Sequence, residues 1–151
     1  MNTCASIRPI DILLVEDNLG DIDLAREALG MGKLRNTLHV VQDGVAAMDF
    51  LRKSGKYAKS PRPDLVILDL NLPKKDGRQV LAEIKADESL KRIPVVILTT
   101  SRSEEDVLKT YNLHANCYIA KPLDMKQFLH VVHSIEEFWL CIVVLPNKEN
   151  K

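Results

Sequence analysis

Hydrophobic residues cluster in five short runs, over 12–15, 38–41, 65–68, 95–98 and 117–120, each set between longer stretches of mixed polarity. The first four are rich in Val, Ile or Leu and continuous rather than alternating, the pattern of strands covered on both faces. The fifth, CYIA, is assigned partly from its place in the series. Between the runs, helical spacing predicts helices near 19–31, 44–54, 77–86, 103–112 and 124–141. Val80, Leu81 and Ile84 form one apolar stripe, and Met125, Phe128, Leu129, Val132, Ile135 and Trp139 form another. Ser103 and Asp124 are placed to cap the helices that follow them, and Pro94 suits a strand's first residue. Strict alternation of strand and helix predicts an α/β fold, a parallel sheet with helices on both faces joined by right-handed crossovers. The basic stretch KSGKYAKSPRP, over 53–63, is expected to be a solvated loop before the third strand.

In an open parallel sheet, ligands bind outside the carboxyl ends of the strands. The first run here ends in Glu16-Asp17, the third in Asp69, the fourth in Thr99-Thr100 and the fifth in Lys121-Pro122. The second ends in Asp43-Gly44, which reads as a turn. Taken alone, Asp17 reads more often as a helix cap and Lys121 more often as a solvated lysine. Carboxylates, a hydroxyl and an ammonium gathered in order at one end of the sheet read instead as a site. Two carboxylates about 4 Å apart repel by ~4 kcal/mol at an effective dielectric of 20. A divalent cation removes that cost, and an all-oxygen, acid-rich set suits Mg²⁺. With Lys121 and Thr99 on other sides, the group would surround a small tetrahedral anion. A carboxylate between a metal and an ammonium can act as a nucleophile toward phosphorus.

Composition narrows the setting. The chain has 151 residues, 46% hydrophobic and 28% charged, which suits one soluble domain. Lys plus Arg and Asp plus Glu are both 21, so no basic excess speaks for nucleic-acid binding. Cys4, Cys117 and Cys141 form no CxxC pair, which points to a reducing compartment; Cys117 and Cys141 lie in apolar contexts and read as core residues. The N-terminus lacks a secretory h-region, and the longest apolar run, 138–145, is far short of a membrane span. A cytoplasmic protein without membrane association is expected. His130 and His133 are three residues apart on the last predicted helix and, with no third ligand at suitable spacing, read as exposed or interface residues.

The segments DILLVEDN, DLVILDLNLPKKDG, IPVVILTTS and CYIAKP resemble, in order, the four signature segments of response-regulator receiver domains, the phosphoacceptor half of two-component signalling. The resemblance runs from about Asp11 to the last helix. It implies a single receiver domain over 1–151, with a core over about 9–141, an apolar tail over 138–146, and a flavodoxin-like, doubly wound, five-stranded sheet of order 2-1-3-4-5. It implies that Asp69 accepts a phosphoryl group from a histidine kinase, and that Glu16, Asp17, Asp69 and the backbone carbonyl of Asn71 hold Mg²⁺. Thr99 and Lys121 would contact the phosphoryl group, Lys121–Pro122 would be a cis peptide, and Thr99 and Tyr118 would form the switch. Thr100 departs from the family's usual Ala, Gly or Ser, which bears on the rate of phosphorylation. The basic loop, the wording LPKKDG and the tail IEEFWLCIVVLP are similar to the stand-alone regulators of cyanobacterial and bacterial phytochrome kinases.

Such a protein is a phosphoacceptor that catalyses its own phosphorylation and dephosphorylation, and is not otherwise an enzyme. After Leu145 only PNKENK remains, so output is expected through protein contacts. The apolar surplus in the tail predicts a homodimer through Phe138, Trp139, Ile142 and Val143. Three readings compete. A Mg²⁺-dependent phosphohydrolase of the haloacid dehalogenase type would carry a second Asp where this chain has Asn71. A constitutive dimeric binding module would not need the complete set of acids, threonine and lysine. A flavodoxin-like FMN carrier would follow the first strand with a Ser/Thr-rich phosphate loop, where this chain has EDNLGD.

Overall fold

Strands that are apolar at every position need cover on both sides, because successive side chains point to opposite faces. The computed structural model, which describes residues 9–32, 35–99, 117–121 and 124–134, supplies that cover. β1 (Ile10–Val15), β2 (Asn36–Val41), β3 (Leu65–Asp69), β4 (Val95–Thr99) and β5 (Cys117–Ala120) form one sheet in the order β2-β1-β3-β4-β5. All four pairings are parallel. Three helices, α1 (Leu19–Gly30), α2 (Gly44–Arg52) and α3 (Gly77–Ala86), connect the strands, and residues 125–134 are also helical. Leu13, Val15, Val66 and Leu68 point to one face, where α2 and α3 cover them with Phe50, Leu51, Val80, Leu81 and Ile84. Ile12, Leu14, Leu65 and Ile67 point to the other, against Ile22, Ala25 and Leu29 of α1 and Phe128 and Val132 of the last helix. Each fully buried Leu or Ile contributes ~1.5–3 kcal/mol, so the two cores are what hold the strand ends in register.

The expected α/β architecture and strand order are present, with differences at the element ends. β2 is an edge strand and only Val41 is fully buried, so it is half covered rather than covered on both faces. β1 begins two residues before its apolar run, because Ile10 and Asp11 already pair with Asn36 and Thr37. Pro94 sits just before β4 rather than in it, and its carbonyl still accepts the Val66 N–H at 3.0 Å. α2 stops at Arg52, two residues short of the apolar pattern. Lys53 turns left-handed (φ 58°), and its N–H and that of Ser54 close back on the carbonyls of Phe50 and Asp49. Asp43 is no simple turn residue: its side chain accepts the Ala46 N–H at 2.7 Å and caps α2. Asp17 does not cap α1; Asn18 does, accepting the Asp21 N–H at 2.9 Å. The basic loop contains one 3-10 turn, Gly55–Tyr57. Asp124 caps the last helix, its side chain accepting the Lys126 N–H at 3.1 Å. The predicted helix over 103–112, its cap Ser103, Ile135, the apolar tail and Pro122 lie outside the described residues. Among those described, no helix is long and apolar enough to cross a membrane.

Candidate functional site

β1 lies between β2 and β3, so the chain leaves its neighbours in opposite directions and a crevice opens at the carboxyl ends of β1 and β3. Glu16 and Asp17 follow β1 directly, and the Glu16 N–H donates to the Val41 carbonyl at 3.0 Å, which carries the ladder one residue past the strand. Asp69 is the last residue of β3 and Thr99 the last of β4. Lys121 follows β5, its N–H donating to the Thr99 carbonyl at 2.8 Å. The sheet register therefore brings the five predicted groups to one end.

Glu16, Asp69 and Thr99 are the buried polar residues among those described, at 0%, 1% and 4% exposure. A buried charge is costly unless paired, and the partner here is Lys121. Its Nζ lies 3.0 Å from Asp69 Oδ2 and 3.0 and 3.1 Å from the two oxygens of Glu16. It also reaches Asp21 Oδ2 at 3.1 Å. Asp21 was not singled out in the sequence; the signal available was a third acid in EDNLGD, one turn into the helix that starts at the site. Burial by itself lowers the pKa of Lys121, but the hydrogen bonds to Asp69, Glu16 and Asp21 outweigh it and raise it. Lys121 is thus a fixed cation. Burial raises the pKa of Glu16 from 4.5 to about 7; Lys121 opposes the rise and the Asp69 charge adds to it.

The three carboxylates fit a hard divalent cation. Ligand oxygens of Glu16, Asp17 and Asp69 lie within 4.8 Å of one another, and Asp17 is exposed, which leaves one side open to water. Glu16 Oε1 touches Lys121 as an ion pair but accepts no hydrogen bond among the described residues; the directed bond from Nζ goes to Oε2. That buried oxygen, held by a single ion pair, keeps a lone pair for a metal. Asn71 is exposed and donates its N–H to Asp69 Oδ1 at 3.0 Å, so the residue after next holds one oxygen of the Asp69 carboxylate while Lys121 holds the other. Gly77 allows this turn, since a Cβ there would sit 2.3 Å from the Asp69 carbonyl oxygen. Tyr118, on β5, is half-buried against the core that α2 and α3 cover. Phe138, Trp139, Ile142 and Val143, named for an interface, lie outside the described residues, as does Thr100.

The model of the response regulator receiver domain matches residues 12–133. This chain belongs to that family. Response regulator Rcp1 of Synechocystis sp. is 54% identical over 138 residues, covering 91% of this chain and 94% of its own. Among solved structures, the phosphorylated cyanobacterial phytochrome response regulator RcpA superposes with a TM-score of 0.77 at 54% identity, covering 88% of this receiver and 95% of that chain. The Mn²⁺-bound form of Rcp1 superposes with a TM-score of 0.76 at 54% identity, over 87% and 95% of the two chains. The acid cluster of this receiver is a group of carboxylates that could hold a divalent metal ion, as Mn²⁺-bound Rcp1 holds one, and a histidine kinase is the class of partner that the family implies.

Proposed function

We propose that this receiver accepts a phosphoryl group on Asp69 from a phytochrome-type histidine kinase, with Mg²⁺ held by Glu16, Asp17, Asp69 and the Asn71 carbonyl. The observation that supports it most is Lys121 Nζ at 3.0 Å from Asp69 Oδ2 inside an acid cluster whose remaining negative charge a divalent cation would balance. An Asp69 carboxylate oxygen attacks phosphorus, the bond from phosphorus to the kinase imidazole nitrogen breaks, and that nitrogen leaves with the electron pair. Bound Mg²⁺ supplies charge neutralisation to the phosphoryl oxygens. Lys121 holds its proton throughout and stays near the reacting group, while the Asn71 N–H keeps the Asp69 carboxylate oriented. Thr99, buried at the end of β4, offers its hydroxyl to the new phosphoryl oxygens, and Tyr118 turns inward as Thr99 moves. Self-catalysed phosphorylation from a small donor and self-catalysed hydrolysis belong to the same reading. The receiver acts in the cytoplasm, where a histidine kinase that makes its phosphohistidine from ATP would meet it.

The phytochrome link is supported by the 54% identity to RcpA, a cyanobacterial phytochrome response regulator. Output passes through protein contacts, with a homodimer formed by Phe138, Trp139, Ile142 and Val143. The test is intact mass after incubation with Mg²⁺ and acetyl phosphate, beside Asp69→Asn and a metal-free control. A gain of one phosphoryl group, absent in both controls, is the expected result; no gain on folded protein overturns the reading and favours the constitutive binding module. Solution mass with and without beryllofluoride tests the dimer, and a monomer at tens of micromolar in both states refutes it.

A further inference from the structure

The loop over 70–76 carries Asn71 out of the acid cluster and into α3. It is pinned at both ends: the Leu70 N–H donates to the Leu98 carbonyl at 3.2 Å, and the Gly77 N–H donates to the Leu70 carbonyl at 3.0 Å. Its middle rests on a different part of the chain, the turn that starts α2. The Gly44 N–H donates to the Pro73 carbonyl at 3.4 Å, and Asp43 Oδ2 pairs with Lys74 Nζ at 3.6 Å. Lys74 itself is left-handed, at φ 66°, a conformation uncommon for a non-glycine residue. The closest approach is at Gly44. A Cβ there would lie 2.0 Å from the Lys75 carbonyl oxygen and 2.8 Å from its carbonyl carbon, both backbone atoms that have no flexible end to swing away. Lys75 is fixed in turn by Glu83 of α3 at 2.6 Å, and Glu83 also takes Arg52 from the far end of α2 at 3.2 Å.

We infer that the Asp43–Gly44 turn is a positioning element for the acceptor site: it clamps the middle of the loop over 70–76, and thereby sets where Asn71 presents itself to a bound divalent cation. The role is indirect, since neither residue is in the acid cluster, and it rests on the reading of that cluster as a metal site. The clamp makes α2, on one face of the sheet, part of what determines metal affinity at the end of it. Asp43 serves the clamp with both oxygens, Oδ1 capping α2 through the Ala46 N–H and Oδ2 facing Lys74. Gly44 serves it by having no side chain, which lets the two backbones meet.

The test compares Mn²⁺ affinity, by isothermal titration calorimetry on the full chain, with stability. Gly44→Ala forces the loop away from α2 and is expected to weaken Mn²⁺ binding about tenfold or more. Asp43→Ala, which loosens the clamp without inserting an atom, is expected to weaken it about threefold and keeps the test available should Gly44→Ala not fold. Leu29→Ala removes core packing beneath α1, remote from the loop, and serves as the stability-matched control. It is expected to lower the melting temperature at least as far while leaving Mn²⁺ affinity within twofold. Hydrogen exchange of the amides of residues 71, 74 and 75 is expected to speed up in the two turn variants and not in Leu29→Ala. Affinity within twofold of the parent in the folded turn variants, or a loss that simply tracks melting temperature across all three, overturns the clamp. No binding by the unsubstituted chain overturns the metal site itself, a failure that is seen before any variant is made.

Discussion

Glu16 gives the sharpest test of the electrostatics of the site. Its carboxyl is fully buried and its pKa is raised from 4.5 to about 7, burial contributing most and the nearby Asp69 charge adding to it against the pull of Lys121. A carboxyl with a raised pKa favours the folded state only while it is protonated. Its contribution is therefore fully present below about pH 4.5 and is lost as pH rises through about 7. The two pKa values correspond to about 3 kcal/mol of folding free energy withdrawn across that window in the absence of metal. A divalent cation on the ionised carboxylate reverses the sign, since it binds the form that apo folding disfavours. At pH 6 about a tenth of Glu16 is ionised, so metal affinity there should be about tenfold below its plateau above pH 8. Binding at pH 6 should release close to one proton.

The perturbation is Glu16→Gln, which keeps the shape and removes the charge. Urea unfolding without metal should then show the variant more stable than the parent at pH 8, by about 1–3 kcal/mol, with the difference shrinking toward pH 5. Titration calorimetry with Mg²⁺, repeated in two buffers of different ionisation enthalpy, counts the protons released. The parent should release fewer as pH rises from 6 to 8, and Glu16→Gln should bind at least tenfold more weakly. Equal stability slopes for parent and variant between pH 5 and 8, or metal binding by the parent with no proton released at pH 6, would refute the account of Glu16.

Lys121→Met leaves Glu16, Asp69 and Asp21 without their shared cation. It should cost about 3 kcal/mol of stability at pH 8 without metal, tighten Mg²⁺ binding by removing a competing positive charge, and abolish phosphorylation by acetyl phosphate. Weaker metal binding in this variant would count against the charge balance described. Gly77→Ala places a Cβ 2.3 Å from the Asp69 carbonyl oxygen and 2.5 Å from Leu70 Cα. It should destabilise the fold by about 2 kcal/mol or more, and a melting temperature within 2 °C of the parent, in place of the several degrees that 2 kcal/mol implies, would show that the turn relaxes freely. Asn18→Ala removes the cap of α1, the Oδ1 that accepts the Asp21 N–H. It should cost about 1 kcal/mol in urea unfolding, where no change would mean that solvent caps the helix equally well.

Most of the architecture could be read from the apolar runs, because a strand buried on both faces is apolar at every position and leaves a signal independent of its partners. The exceptions follow from where that signal fails. β2 has Leu38 and Val40 half covered and His39 paired with Asp11 at 3.0 Å, since an edge strand lacks a neighbour on one side. The end of α2 was misplaced because Lys53, a residue with no special preference, takes the left-handed turn that glycine usually announces. The candidate site was legible for a related reason: parallel strands put all their carboxyl ends at one edge, so the residue after each apolar run is already an address. Asp21 was not, because it reaches the site from within a helix, at a spacing that any acidic first turn would share.

The same distinction separates what a strand end can specify from what a loop must supply. Asp69 and Thr99 are held by the ladder itself, and register alone delivers them to the crevice. Asn71 is not. It lies two residues past the end of β3, and its loop is shaped by Gly77 against the Asp69 carbonyl and by Gly44 against Lys75. Both glycines work through an absent side chain, so neither leaves a chemical mark that spacing or charge would reveal. A sheet of this kind can thus fix the charged groups of a site by topology, while the fine placement of the remaining ligand depends on close backbone contacts with elements far away in sequence. Substitutions at such contacts should lower affinity for the cation by more than the lost stability alone explains, which is why Gly44 and Gly77 belong in the same series of measurements as Glu16 and Lys121.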